Sequence, residues 1–310
     1  MSHDRPDSSP NRDDRPDDSG GDIRCRVCGS ETELVGSAVG RVTSRTFFVR
    51  GCTSCGVSFI ANPWIDYEAI YGAEYYAGEG ADPWVDYLFE LEHPDRTIRS
   101  LEWKGIVDVV NSLTPISRQT RWVDFGCGNG GLVRYVRDQE GCDAVGVEKG
   151  WIERKLTEYE IPFVDVADLS SLAGTADVVT AIEVLEHLVD PVAVLKEIRR
   201  LLKPGGLFLY TTGNAEPYRG KILSWRYFVP EVHVTYFEPR TMAYALTRAG
   251  FRPDYAGWRP GYSEIIRFKV LKTLHLRQRS PVEALLPWTP ITRFIDWRLR
   301  VTGHPIGWAV

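Results

Sequence analysis

Between residues 120 and 212, short apolar runs alternate with stretches in which apolar side chains recur every three to four positions. WVDFG (122–126), AVGVE (144–148), PFVDV (162–166), DVVTAI (177–182) and LFLYTT (207–212) read as strands, since they are short, rich in β-branched residues and bounded by turn formers. Between them Leu132, Val133 and Val136 have helical spacing, and Val192, Leu195, Ile198, Leu201 and Leu202 form a second stripe. Asp190 and Pro191 suit the N-cap and first position of that second helix, and Lys203-Pro204-Gly205-Gly206 stops it. Strands alternating with helices imply βαβ units and a parallel sheet. Outside this core, Pro83 to Val110 reads as largely helical with an interruption at Pro94. Ser263 to Leu276 and Ile291 to Val301 have helical periodicity with Arg and Lys interleaved, and GHPIGWAV (303–310) reads as a final strand.

The pattern is sharpest at Trp122 to Gly131, WVDFGCGNGG, where a buried strand breaks into a glycine turn that opens a helix. Glycine lets the backbone approach a ligand, and the helix start offers unpaired N–H groups. Gly126, Gly128 and Gly131 also satisfy the dinucleotide pattern, with Glu148 placed where a ribose-binding acid would lie. The turn alone therefore leaves the cofactor open.

The chain has 310 residues, 43% of them hydrophobic, and a net charge of -5, enough for one substantial core plus a small module. That balance carries no whole-chain signature of a nucleic-acid binder. No apolar stretch reaches eighteen residues and the N-terminus lacks an apolar leader region, so a soluble, cytoplasmic protein is expected. Residues 1–22 are rich in Asp, Arg, Pro and Ser and read as a disordered acidic tail, with a docking role as the alternative. Cys25 and Cys28 form one CxxC, and Cys52 and Cys55 another. Two such knuckles complete a four-thiolate site for structural zinc, giving a ribbon over residues 23–62 with Arg41 to Arg50 as a strand. A disulfide reading needs an oxidising compartment, and a redox pair needs only one CxxC. Cys127 and Cys142 read as packing residues of the larger domain.

Residues 63–112 form an aromatic-rich helical segment containing Trp64, Tyr67, Tyr71, Tyr75, Tyr76, Trp84 and Tyr87. These rings either cement the ribbon to the larger domain or form a lid centred on Tyr75 and Tyr76.

The order DFGCGNG, AVGVE, ADVVTAIEVLEH, LLKPGGLFLYTT and HVTYFEP, followed by a helix ending in AGF, resembles the class I S-adenosylmethionine-dependent methyltransferases over roughly residues 100 to 256. The resemblance implies an α/β fold with a Rossmann-like seven-stranded sheet, here spanning residues 113–310 with a helical insert at about 262–301 and preceded by the zinc ribbon. It implies S-adenosylmethionine as cofactor. The backbone of Gly126, Cys127 and Gly128 would receive its amino-acid half, with Asp124 shaping the turn or reaching its ammonium through water. Glu148 would take its ribose hydroxyls and Asp168 its adenine amino group, with Glu183 at the next strand end. Related enzymes also carry a YxxxYY stretch after the zinc module.

In EVLEH, Glu183, Glu186 and His187 share a face if the segment turns helically. His187, Glu186 and His233, the last from PEVHVTYFEP, are the candidate proton-transfer residues, because imidazole is poised near neutral pH. Either histidine could instead be structural. The ExxEH spacing with a later histidine resembles the metal site of small-RNA 2′-O-methyltransferases and, in shorter form, that of quinone-pathway O-methyltransferases. A second metal at Glu183, Glu186, His187 and His233 is therefore a further reading. The function expected is methyl transfer to a small-molecule acceptor, with a sugar or other secondary metabolite as the candidate class. The alternatives are an RNA methyltransferase that grips phosphates with the ribbon and the basic insert, and a non-catalytic cofactor-binding module.

Overall fold

A computed structural model describes residues 23–302 apart from 82, 84 and 255–258. The acidic tail, Trp84 and the expected strand GHPIGWAV lie outside the described residues. The chain runs β1 (Glu33–Val39), β2 (Thr46–Gly51), β3 (Ser58–Ile60), α1 (Tyr67–Ile70), α2 (Ala73–Tyr76), α3 (Tyr87–Glu92), α4 (Arg99–Leu113) and β4 (Arg121–Phe125). It continues through α5 (Gly131–Tyr135), β5 (Asp143–Glu148), α6 (Glu153–Glu158), β6 (Phe163–Asp165), β7 (Ala176–Ile182), α7 (Pro191–Leu201) and β8 (Leu202–Thr211). The last elements are β9 (Thr235–Tyr236), α8 (Pro239–Arg248), α9 (Tyr262–Thr273), α10 (Val282–Leu285) and α11 (Trp288–Thr302).

The central sheet has the order β6-β5-β4-β7-β8, all parallel. Both faces are covered, which is why its strands read as continuous apolar runs. The period of two sorts them: Val123, Phe125, Val145, Val147, Val179 and Ala181 face α7, α8 and the cysteine module. Trp122, Ala144, Val178 and Leu209 face α4, α5, α6 and α9. Asp190 caps α7 by accepting from the Ala193 N–H at 2.9 Å, and Pro191 begins the helix.

The sheet corrects one expectation. Among the described residues it has five strands and not seven. Thr235–Tyr236, which lies beyond β8 in the chain, pairs antiparallel with β3 of the N-terminal sheet. The stretch after α8 is spent on α9, which crosses α4 so closely that a Cβ on Gly105 would lie 2.4 Å from Ile265.

The N-terminal sheet has the order β1-β2-β3-β9. The strand expected over 41–50 begins only at Thr46, because residues 41–43 make the turn of a hairpin with β1. β1 itself left no apolar alternation to read, since its half-buried positions hold the small Gly36 and Ala38 while Val35 and Val39 are exposed. Cys25, Val27, Cys52, Cys55, Val57 and Phe59 belong to the same packed cluster as Val123 and Phe125. The cysteine module and the central sheet thus share one core.

Candidate active site

A cavity of about 420 Å³ opens at the carboxyl ends of β4, β5 and β7, a volume typical of small-molecule sites. Ligands of open parallel sheets bind at this edge.

One end is made by the glycine turn. The Gly126 and Cys127 N–H groups both donate to the Val147 carbonyl, at 2.8 and 3.2 Å, which folds the turn over β5. Gly126 has φ of 72°, and a Cβ there would lie 2.7 Å from the Val184 side chain, so glycine is required twice over. A Cβ on Gly128 would meet nothing within 4 Å, which leaves the face of the turn open to a ligand. Asn129 accepts from the Gly131 N–H at 3.0 Å and donates to the Tyr87 carbonyl at 2.8 Å, tying the start of α5 to α3. Glu148 is buried and accepts from the Gly128 N–H at 2.7 Å and from the Tyr67 hydroxyl and Lys149 N–H at 3.0 Å each. Burial raises its pKa against these bonds. Asp124 lies deeper. It accepts from Thr180 Oγ1 at 2.7 Å, and Thr180 in turn accepts from the Trp122 indole at 2.9 Å. Burial pushes Asp124 up to about 7 despite the Thr180 bond. Cys127 lines the cavity, but its thiol packs against Gly146 of β5 in the core, and burial raises its pKa well above the ordinary value. Asp168 is exposed and outside the lining, which at that point is supplied by Val166.

The other end is built around EVLEH. Glu183 ends β7 with φ of 55°, uncommon for a residue with a side chain. The next turn, Leu185–His187, is a short 3₁₀ turn. The Tyr227 hydroxyl lies 2.8 Å from Glu183 Oε2 and also contacts Glu186 Oε1, while Thr212 Oγ1 donates to Glu186 Oε2 at 2.8 Å. The two carboxylates separate electrostatically. Burial works against charge on both, but Lys269, Tyr227 and Lys272 hold Glu183 below the usual range, whereas burial and the Glu183 charge raise Glu186. Lys269, reaching in from α9, bridges Glu183 at 3.4 Å and Glu102 of α4 at 3.5 Å.

His187 Nδ1 is 2.7 Å from the Tyr71 hydroxyl, and burial, then the neighbouring His233 ring, push its pKa down to about 3. His233 Nδ1 lies 2.8 Å from the Tyr227 carbonyl, which only accepts, so Nδ1 carries the hydrogen and Nε2 is the basic nitrogen of the neutral ring. The two imidazole centroids are 4.9 Å apart. Glu186, His187 and His233 each place a ligand atom within 4.8 Å of the others. Glu183, the fourth member of the set expected from the sequence, is absent from that cluster.

Tyr71, Tyr227, Thr212 and Lys269 were not singled out in the sequence as site residues. Tyr67, Tyr71 and Tyr75 recur at a spacing of four, a signal that one helical face of rings would line something. Tyr75 and Tyr76 line the cavity wall and are buried.

Apart from this cavity, the four cysteines form a cluster. Cys25 and Cys55 Sγ are 3.6 Å apart, and Cys28 and Cys52 Sγ are 3.5 Å apart. A zinc tetrahedron with Zn–S of about 2.3 Å sets sulfurs about 3.8 Å apart, so the geometry fits. Backbone N–H groups of Val27 and Cys28 approach Cys25 Sγ at 3.4 Å each, the support that thiolates need.

A family profile described as a methyltransferase domain matches residues 91–255, more than half of the chain. The chain belongs to this methyltransferase family. The ubiquinone biosynthesis O-methyltransferase of Bordetella avium is 31% identical over 144 residues, covering 43% of this chain and 57% of that protein. The protein of the same name from Cereibacter sphaeroides is 37% identical over 106 residues, covering 31% and 42%. The methyltransferase thus spans about half the length of these curated relatives. Among solved structures, an S-adenosylmethionine-dependent methyltransferase from Mesorhizobium loti is 18% identical with a TM-score of 0.43, covering 57% of this chain and 96% of that one. A phosphoethanolamine N-methyltransferase from Haemonchus contortus is 16% identical with a TM-score of 0.46, covering 77% and 59%. Among the described residues, no helix of the methyltransferase is long and apolar enough to cross a membrane.

Proposed function

We propose that this S-adenosylmethionine-dependent methyltransferase alkylates a hydroxyl oxygen of a small-molecule acceptor. The acceptor is held where His187 and His233 meet. The observation that carries the reading is the His233 ring, whose Nδ1–H is committed to a carbonyl, leaving Nε2 as its basic nitrogen, and which clusters with Glu186 and His187 at the cavity wall. The relatives named as O-methyltransferases of ubiquinone biosynthesis favour a small acceptor over RNA.

The residues at the glycine turn suit the cofactor. The open face over Gly128 would take its amino-acid half, and Glu148 would exchange its present donors for ribose hydroxyls. When bound, the cofactor supplies an electrophilic methyl group on a sulfonium centre. The protein then orients the acceptor and moves one proton. His233 Nε2 takes that proton as the oxygen attacks, and the Tyr227 ring stacked on His233, with centroids 4.2 Å apart, carries the hydroxyl that bonds Glu183. His187, held through Nδ1 by Tyr71, orients the acceptor. The test is transfer of labelled methyl groups to a panel of phenols and other hydroxyl acceptors. Turnover that is confined to amines or to RNA would refute the reading.

A second reading rests on the convergence of Glu186, His187 and His233, a mixed oxygen and nitrogen set suited to magnesium, manganese or iron. An ion there would lower the pKa of an acceptor hydroxyl. Chelation with zinc retained in the ribbon decides it: an unchanged rate across added magnesium, manganese and iron removes the ion. The ribbon itself is proposed to hold one structural zinc, which supplies folding energy to the module.

A further inference from the structure

The cysteine module is joined to the acceptor end of the cavity by an unbroken series of backbone bonds. The second knuckle is closed by the Cys52 N–H to the Val57 carbonyl and the Gly56 N–H to the Cys52 carbonyl, each at 2.9 Å, and it leads directly into β3. β3 pairs with β9 through Ser58–Tyr236 and Phe59–Thr235, and the Ile60 N–H donates to the Val234 carbonyl at 2.9 Å. The other side of the same segment grips the EVLEH turn: the Val234 N–H donates to the Glu186 carbonyl at 2.8 Å, and Thr235 Oγ1 donates to the Leu188 carbonyl at 2.7 Å. The Tyr236 hydroxyl donates back to the His233 carbonyl at 2.7 Å. From α8, Thr241 Oγ1 bonds the Cys55 carbonyl at 2.6 Å, and Arg248 bonds the Val27 carbonyl at 2.7 Å.

We propose that the four-cysteine ribbon is the mount of the acceptor-side histidines, so that emptying the knuckle displaces His233 relative to His187 while the cofactor turn keeps its geometry. The physical basis is which backbone groups each site depends on. The Gly126 turn is held by Val147 within β4 and β5, and among the described residues no backbone bond runs from it to the ribbon, whose cluster Phe125 and Val147 share through side-chain packing alone. Val234, by contrast, is bonded on one side to β3 and on the other to the 185–188 turn. A strand of two residues with so few ladder bonds depends on its neighbour for order. Thr235 and Tyr236 are fully buried, so a shift of β3 is passed on and not absorbed by solvent. Thr235 and Tyr236 are positioning residues under this proposal. The ribbon is thereby a working part of the reaction site and not a detached binding module. The inference rests on the reading that His187 and His233 serve the acceptor, but its test does not need turnover.

The full-length protein is compared with zinc bound and after its removal by a strong chelator. Hydrogen exchange is followed at Val234 and Gly126, and the imidazole resonances of His187 and His233 are followed by NMR. Removal should speed exchange at Val234 at least tenfold and shift both imidazole signals. Gly126 exchange and affinity for S-adenosylhomocysteine should stay within threefold. The variant Thr235→Val, which keeps all four cysteines, guards against general unfolding. It should bind zinc at the wild-type stoichiometry, shift the same imidazole signals and, once an acceptor is known, lower kcat about tenfold. Equal acceleration at Gly126 and Val234 on zinc removal, or unchanged imidazole signals in either preparation, would overturn the proposal. Failure to find any acceptor would instead weaken the functional reading and leave this test intact.

Discussion

The two ends of the cavity, one proposed to take the cofactor and the other the acceptor, are built by different means. The cofactor end comes from consecutive strand ends of β4 and β5 and uses main-chain groups: the Gly126 and Cys127 N–H groups on Val147, and the Gly128 N–H on Glu148. The acceptor end draws side chains from five separate places, namely Tyr71, the Glu183–His187 turn, Thr212, the Tyr227–His233 loop and Lys269 of α9. Local backbone geometry can be specified by ten contiguous residues. An assembly of side chains from distant segments exists only once the whole core has packed, and it can be altered one residue at a time without disturbing the fold.

That contrast predicts separable losses. The largest should follow His233→Gln, which removes the basic nitrogen but keeps a side chain able to hydrogen-bond. kcat should fall roughly 10²–10⁴-fold, the usual range for a lost proton-transfer group, with cofactor affinity unchanged, as read by labelled methyl transfer and calorimetry. A loss of less than tenfold would move the proton-transfer role away from His233.

Next comes the interior of the cofactor end. Asp124 is held up at about 7 by burial, against a reference of 3.8. A carboxyl with a raised folded pKa favours folding below its unfolded value, and that advantage is lost as pH climbs through the folded value. The cofactor-free protein should therefore lose stability between about pH 4 and 7 at this site, by roughly 4 kcal/mol. Asp124→Asn should flatten that part of the profile in urea titrations. A variant profile parallel to the wild type would show that Asp124 titrates near its ordinary value.

The smallest of these effects should come from Glu148→Ala. It should remove the charged hydrogen bonds proposed to reach the ribose and weaken cofactor binding by about 1–3 kcal/mol, leaving the His187–His233 pair in place.

The same division explains what could be read from the sequence. WVDFGCGNGG announced its turn because glycine at Gly126 is demanded locally, by a φ of 72°. The cap at Asp190–Pro191 was legible for the same reason. The cysteine spacing pointed to a four-sulfur cluster, which the structure brings together. The strand number was not legible, because whether Thr235–Tyr236 extends the central sheet or joins β3 depends on which edge lies nearest after folding. β1 hid its period of two, because its half-buried positions hold the small Gly36 and Ala38 while Val35 and Val39 are exposed. Tyr227 and Lys269 carry no motif: each meets Glu183 across the cavity from 44 and 86 positions away in the chain. Asp168 shows the opposite failure, an acid in the expected stretch whose side chain the turn after β6 leaves exposed.

The division of the cavity is tested most directly by titrating S-adenosylhomocysteine into the wild type, Glu148→Ala and His233→Gln side by side in a calorimeter. Glu148→Ala should bind about 5- to 150-fold more weakly, the equivalent of 1–3 kcal/mol, while His233→Gln should match the wild type within about twofold. Equal weakening in both variants, or weakening in His233→Gln alone, would contradict a cofactor end and an acceptor end built independently.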